Sequence, residues 1–281
     1  MLSGELATLL SGRYIQIEML PFSFSEFVQA HEMEGNLERA YQKYIETSSF
    51  PYAMHLDETS DQVNEYLRSI YDTIILKDVI GRKRITDVMM LESVIRFLAD
   101  NIGNPLSTKK ISDTMTSNGR NINVRTVESY VSAFMESYIV YQANRYDIKG
   151  KQYLKTLEKY YLVDIGLRNA MLGSRGNRDV GHILENVIYL ELIRRGYQVY
   201  VGKMDTTEVD FVAKNQNGLE YFQVSASVRD ENTLERELRP LQKIQDNYPK
   251  YILTLDLDPA ADYDGIRRIN ALDWLMKKGN M

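Results

Sequence analysis

Two carboxylates and two neutral residues fall at the spacing of a metal-dependent site for phosphodiester hydrolysis. Asp210 lies in the strand-like segment EVDF (208–211), and Glu185 lies upstream in a helical pattern. Hard carboxylate oxygens suit Mg²⁺ or Mn²⁺, and such a metal lowers the pKa of a bound water. The same chemistry needs an acidic residue and a lysine on the next strand, but Gln223 and Ser225 stand there.

These two replacements predict a degenerate site. The neutral carbonyl oxygen of Gln223 still offers a metal ligand, although a weaker one than a carboxylate. The hydroxyl of Ser225 cannot supply the positive charge that orients the nucleophile and offsets charge in the transition state. We therefore expect Glu185 and Asp210 to serve mainly as hydrogen-bonding residues, with any Mg²⁺ or Mn²⁺ bound weakly. An active Mg²⁺- or Mn²⁺-dependent nuclease is the alternative.

Three further charged residues lie near this segment. Lys203 and Lys214 are candidates to replace the missing lysine from adjacent positions, but no pattern positions either of them in the site. Alternation along the strand leads us to expect that Glu208 points away from Asp210.

Composition narrows the classes of function. The chain has 281 residues, a net charge of -5 and no cysteine, so disulfides, thiolate catalysis and cysteine-ligated metals are excluded. No chain-wide basic field exists to hold nucleic acid, so such binding must come from local patches. No apolar run approaches the roughly 20 residues that cross a bilayer, and the start lacks the pattern of a signal peptide. We predict a cytoplasmic protein with no membrane partner.

The hydrophobic pattern predicts an α+β fold in four regions. Residues 1–22 contain a short helix and a strand at 14–19. Residues 23–85 are helical, and Ser23 with Glu26 three residues later is typical of a capping box. Residues 86–172 follow the order of a winged helix. Residues 173–281 alternate helices with strands, which indicates a small mixed α/β sheet.

The third region suggests a surface for nucleic acid. Helices are expected up to residue 102, near 108–116 and from Val124. In the last helix Val124, Val127, Val131 and Phe134 share one face and should be core. Strands at 138–143 and 159–164, joined by a basic turn, would form the wing. Residues in this region that could contact DNA, mostly through phosphates, are Lys109, Lys110, Arg120, Arg125, Lys149 and Lys151.

Several segments carry a resemblance to a known family. They are LLSGELATLLSGRYIQIEMLPFSFSEF, YLRSIYDTIILKDVI, EKYYLVDIGLRNAMLG and GHILENVIYLELIRRGYQVYVGKMDTTEVDF. With them the chain resembles the C-terminal part of bacterial and archaeal AAA-type ATP-binding proteins that carry a PD-(D/E)XK nuclease-like domain. The resemblance implies a remnant of the ATPase core at 1–22, a helical lid at 23–85, a winged helix at 86–172 and a restriction-endonuclease-like domain at 173–281.

The nucleotide site of that family is largely missing from the sequence. No G-x-x-x-x-G-K-[ST] loop occurs, so ATP binding is expected only in a longer form of the protein. Arg13 could reach a γ-phosphate of its own or a neighbouring subunit, although a surface arginine is the simpler interpretation. Three functions therefore compete. The first is a binding or assembly module whose partner is DNA, another copy of the chain or an ATPase. The second is an active nuclease, and the third is a subunit that completes another chain's ATPase site.

Overall fold

A computed structural model describes residues 17–57, 61–83, 85–173 and 179–277. The first helix begins as predicted, because the Ser23 hydroxyl accepts a hydrogen bond from Glu26 N and the Glu26 carboxylate accepts one from Ser23 N. The helices are α1 Phe24–Ala30, α2 Leu37–Glu46, α3 Gln62–Asp72, α4 Val88–Asp100, α5 Thr108–Ser117, α6 Val124–Glu136, α7 Ile165–Leu172, α8 Val180–Arg194, α9 Glu231–Gln242 and α10 Ala271–Met276. A 3-10 helix spans Pro51–His55. Helix α3 runs on through a π-helix at Thr73–Ile80 and a short α-helical segment at Gly81–Lys83.

All the described strands belong to one eight-stranded mixed sheet. Its order is β2-β1-β3-β4-β5-β6-β8-β7. Most neighbours are antiparallel, but β1 pairs in parallel with β3, and β6 pairs in parallel with both β5 and β8. The strands are β1 Val140–Asp147, β2 Gln152–Leu162, β3 Gln198–Met204, β4 Thr207–Asn215, β5 Gly218–Ser225, β6 Lys250–Thr254, β7 Ala261–Tyr263 and β8 Ile266–Asn270.

The hairpin predicted as a wing forms, but it does not stand apart from the sheet. Strands β1 and β2 pair antiparallel, and β1 then pairs with β3, with Tyr146 beside Gly202. The sheet therefore crosses the predicted boundary between residues 172 and 173. Alternation in sequence predicts that a strand exists, whereas its neighbour depends on the tertiary arrangement. This pairing brings β2 close to the strands that carry the predicted site.

The strand predicted at residues 14–19 is wrong over its described part. Residues 17–19 have no regular structure, and the side chains of Ile17 and Met19 are 80% and 86% exposed. No strand in the described ranges pairs with them. A segment with period-two alternation forms a stable strand only where a neighbouring strand supplies hydrogen bonds and other side chains cover one of its faces.

Two buried cores hold the sheet in place. The larger includes Leu184 and Ile188 of α8 with Phe211 and Phe222 of the sheet, and it continues into α4 and α6. A smaller core packs apolar residues of α9, such as Leu241, against other side chains of the sheet. Of the four residues predicted to be core in α6, Val127, Val131 and Phe134 are buried, whereas Val124 is only half-buried. None of the helices in the described residues has the length and apolar character needed to span a bilayer.

Candidate functional site

A buried lysine lies at the centre of the predicted site. Strand β2 places Lys159 where its side chain is only 4% exposed. Its Nζ lies 2.9 Å from Glu185 Oε1, 2.8 Å from Glu208 Oε1 and 3.5 Å from Asp210 Oδ1. An ammonium group has three N–H donors, so these three carboxylates account for all of them. We call Lys159, Glu185, Glu208 and Asp210 the lysine–carboxylate cluster.

Helix α8 holds Glu185 against β2. Glu185 Oε1 also accepts a hydrogen bond from the Tyr161 hydroxyl, with 2.6 Å between the oxygens. Gly103 lies against the other carboxylate oxygen in the left-handed region at φ +71°, and a Cβ there would lie 3.1 Å from Glu185 Oε2. The close fit of Gly103 and the hydroxyl of Tyr161 together restrict the position of the Glu185 carboxylate.

Asp210 is held by the neighbouring strand β5. Its Oδ2 accepts a hydrogen bond of 2.9 Å from Val224 N, while its own backbone N–H donates to Gln223 Oε1 over 2.8 Å. The Gln223 side-chain amide donates in turn to Glu237 Oε2 on α9 over 2.7 Å. Ser225 donates to the Ser227 carbonyl over 3.0 Å. Gln223 and Ser225 therefore form structural hydrogen bonds at the positions where a nuclease would need a carboxylate and a lysine.

The charges of the cluster shift two pKa values. Burial alone would lower the pKa of Lys159, but the carboxylates of Glu185, Asp210 and Glu208 outweigh it and raise that pKa. Burial raises the pKa of Asp210 to about 7, because the opposing attraction of Lys159 is partly cancelled by repulsion from Glu185. Lys159 therefore stays protonated at neutral pH, whereas Asp210 titrates near neutral pH.

The residues present do not fit a divalent metal ion. Lys159 already places a positive charge between Glu185 and Asp210, and the second Asp210 oxygen accepts from Val224 N. The carbonyl oxygen that Gln223 could offer accepts from Asp210 N. Within the described residues, no group of three or more His, Cys, Asp or Glu side chains is arranged to hold a metal.

The structure brings together the four residues that the sequence singled out. Glu185 and Asp210 share the amine of Lys159, and Gln223 and Ser225 lie on the strand that pairs with β4. The two lysines considered as substitutes form contacts of other kinds. Lys203 Nζ lies 4.0 Å from Asp147 Oδ2, and Lys214 Nζ donates to the Tyr153 hydroxyl over 3.4 Å.

The expectation for Glu208 was wrong. Its carboxylate contacts the same Lys159 amine as Asp210 does. Residues two apart on a strand point to the same face, so alternation favours this arrangement.

Sequence reasoning missed Lys159, although a signal was present. Lys159 begins the run KYYL, whose three following residues are all buried. A lysine in a buried strand is rare unless an acidic partner neutralises it. The composition of this run therefore indicates a buried ion pair, but nothing local in the sequence identifies its partner.

The residues predicted to bind nucleic acid lie in two separate places. Lys109 and Lys110 are exposed in the first turn of α5, and Arg125 is exposed on α6. Arg120 is tied to α4, where it donates to the Met89 carbonyl over 3.0 Å and to the Ser93 hydroxyl. Two further lysines of this set, at positions 149 and 151, border a groove at the β1–β2 turn. Arg13 lies outside the described residues.

The fold and the site together define a class, namely mixed α/β proteins in which a buried lysine neutralises a cluster of carboxylates. A family model described as a domain of unknown function (DUF8612) matches residues 38–178, and the chain belongs to this family. The chain is 40% identical over 280 residues to an uncharacterized protein of Haemophilus influenzae. These residues are 99% of this chain and 68% of that protein.

A second relative comes from an archaeon. An uncharacterized protein of Methanocaldococcus jannaschii is 28% identical over 257 residues, which are 86% of this chain and 56% of that protein. The chain thus spans about two thirds of the length of one relative and just over half of the other. No solved structure matches the chain.

Proposed function

We propose that this chain is a binding or assembly module of an AAA-type ATP-binding protein, acting on nucleic acid, and that its nuclease-like site is catalytically silent. The observation that carries the proposal is the position of the Lys159 amine between Glu185, Glu208 and Asp210. Its ammonium group supplies the positive charge that a divalent metal would otherwise supply to these carboxylates.

The same geometry argues against a catalytic role for the lysine. A lysine that assists hydrolysis must direct an N–H at the attacking water or the phosphate. Lys159 directs its donors at three carboxylates, and its side chain is 4% exposed. Breaking one of these buried ion pairs to contact a substrate would leave a carboxylate without its partner in a site of low dielectric, which is costly.

The AAA-type assignment is supported by the resemblance of the segments quoted above and by the predicted order of helices and hairpin. The sequence has no phosphate-binding loop, so the chain is not expected to bind ATP by itself. Titration calorimetry with Mg²⁺-ATP checks this point, and saturable micromolar binding would contradict it.

A cleavage assay tests the silent site. Supercoiled and single-stranded DNA are incubated with the chain in Mg²⁺ or Mn²⁺, alongside Asp210→Ala and the closer isostere Asp210→Asn. We expect the same background nicking from all three proteins. Nicking by the natural chain that both variants abolish, with folding verified by circular dichroism, would refute the proposal.

Such a result would favour the competing function, a Mg²⁺- or Mn²⁺-dependent nuclease. The observation on its side is that an amine and three carboxylates do meet at the predicted site. Activity would then require Lys159 to leave the carboxylates, so Lys159→Gln would also lower the rate.

A further inference from the structure

A groove of about 770 Å³ lies against the sheet. It is lined by residues of the β1–β2, β3–β4 and β4–β5 turns, by the segment between α9 and β6, and by strand residues such as Tyr146 and Tyr221. The groove and the cluster share no residue. Its volume is in the range of ligand-binding clefts, roughly 300–1,000 Å³.

The groove is basic although the chain as a whole is acidic. Its lining includes four lysines and two aspartates, Lys149, Lys151, Lys214, Lys243, Asp205 and Asp246. Both aspartates are already engaged by the protein. Lys149 Nζ lies 3.2 Å from Asp205 Oδ1, and Asp246 Oδ2 accepts a hydrogen bond of 2.7 Å from the Tyr221 hydroxyl.

Three lysines are thus left for a ligand. In the described part of the chain, Lys151, Lys214 and Lys243 have no carboxylate within ion-pair distance. Lysines without a carboxylate partner on the walls of a groove attract anions, and lysine binds phosphate as a point charge.

Tyrosine rings accompany these amines. Tyr153 lies 5.4 Å from Tyr146 and 5.1 Å from Tyr200 between ring centroids, so the three rings form a group across β2, β1 and β3. Tyr153 is 54% exposed. On another part of the rim, Tyr248 is 43% exposed and its ring covers Gly218, where an added Cβ would lie 2.7 Å from Tyr248 Cε1.

Tyr153 lies beside the groove lining and contacts one of its lysines. Lys214 Nζ donates to the Tyr153 hydroxyl over 3.4 Å. The pKa of Tyr153 lies below its ordinary value because of its hydrogen bond with Tyr200 and its proximity to Lys214. Exposed rings beside unpaired amines match what an unpaired nucleotide presents, namely a flat base followed by a phosphate.

We infer that this groove binds an unpaired segment of nucleic acid, with bases stacked on Tyr153 and Tyr248 and phosphates on Lys151, Lys214 and Lys243. More than one exposed ring and more than one unpaired amine favour a strand over a single nucleotide. Duplex DNA keeps its bases inside the stack, where these rings cannot reach them. The inference rests on the proposed binding role and names its ligand.

Fluorescence anisotropy with three labelled probes of equal length tests the ligand class. The probes are an oligothymidylate, an abasic strand with the same phosphates, and a duplex. At low salt we expect the oligothymidylate to bind most tightly, about a hundred-fold more tightly than the abasic strand, because each of the two stacked bases contributes about ten-fold. A free nucleotide should compete only weakly.

Two groove variants separate the base contact from the phosphate contact. Tyr153→Ala should weaken oligothymidylate binding about ten-fold and leave the abasic strand unchanged. Lys214→Gln should weaken both probes and reduce the slope of log affinity against log salt by about one. Lys110→Gln on α5 tests the rival surface. Matched controls are Tyr52→Ala, whose ring is 58% exposed on the 3-10 helix, and Lys277→Gln, which is exposed after α10. Neither control should change binding.

Equal affinity for the oligothymidylate and the abasic strand would overturn the inference, as would the absence of binding to any probe at low salt. Loss of binding in Lys110→Gln but not in Lys214→Gln would move the interface to α5 and overturn it as well. Binding is read without divalent metal, whereas the silent site is tested by metal-dependent nicking, so either idea can fail while the other stands.

Discussion

The molecule places its lysines in two contrasting environments. In the lysine–carboxylate cluster, Lys159 is buried and every N–H donor has a carboxylate acceptor. In the groove, Lys151 and Lys214 are exposed, and neither has a carboxylate partner within the described ranges. A buried charge must be neutralised by the protein itself, whereas an exposed charge is stabilised by water until a ligand replaces that water. The difference favours the groove, and not the cluster, as the place where this chain binds something.

Removing the buried charge should have the largest effect. We expect Lys159→Met to lower the free energy of unfolding by about 3–5 kcal/mol at pH 7.5, because three carboxylates would lose their shared cation. Lys214→Met is the matched control, and as a surface change it should stay within about 0.5 kcal/mol. Urea denaturation of both variants gives the comparison. Equal losses would show that burial does not distinguish the two lysines.

The pH dependence of stability should report on Asp210. Its pKa is raised to about 7 in the folded protein, so the folded state binds its proton more tightly than the unfolded chain does. The Asp210 contribution should therefore be most favourable below about pH 4 and be lost as pH rises to about 7, by roughly 1.4 kcal/mol per pKa unit. The difference in unfolding free energy between the natural chain and Asp210→Asn, measured by urea across this range, should fall with pH. A flat difference would contradict the raised pKa.

Adding metal should distinguish the natural cluster from one without its lysine. Mn²⁺ should not shift the melting temperature of the natural chain, because the Lys159 ammonium lies between Glu185 and Asp210. In Lys159→Met the freed carboxylates should bind Mn²⁺, with a stabilisation of about 1.4 kcal/mol at ten times the dissociation constant. Adding Asp210→Asn to that variant should reduce the shift. A Mn²⁺ shift in the natural chain that Asp210→Asn removes would show that the lysine does not exclude metal.

The smallest expected change in stability is in the groove. Tyr153→Ala should alter the free energy of unfolding by less than about 1 kcal/mol, since the ring is 54% exposed. Its effect should appear in oligothymidylate binding instead. Tyr161→Phe, which removes a buried hydroxyl that donates to Glu185, should show the reverse pattern, with a loss of about 1–2 kcal/mol and unchanged binding. If Tyr161→Phe also impaired binding, the cluster and the groove could not be treated as independent.

Local patterns predicted many of the elements. The capping box at Ser23, the helix from Val124 and the strands around Asp210 and Gln223 were all visible from side-chain spacing. The short strands β7 and β8 and the helix α10 were not predicted. A strand of three residues such as β7 is too short for alternation to identify it, and the position of β8 depends on parallel pairing with β6.

The sequence alone singled out Glu185 and Asp210 and placed Gln223 and Ser225 on the neighbouring strand. Only the tertiary structure decided what neutralises those carboxylates. Lys159 is separated by 26 positions from Glu185 and by 51 from Asp210, and it reaches them because β1, its hairpin partner, pairs in parallel with β3. Strand and helix periodicity come from neighbouring residues, whereas a buried ion pair depends on which distant elements meet. That is why Lys159 escaped the sequence patterns, whereas Glu185 and Asp210 did not.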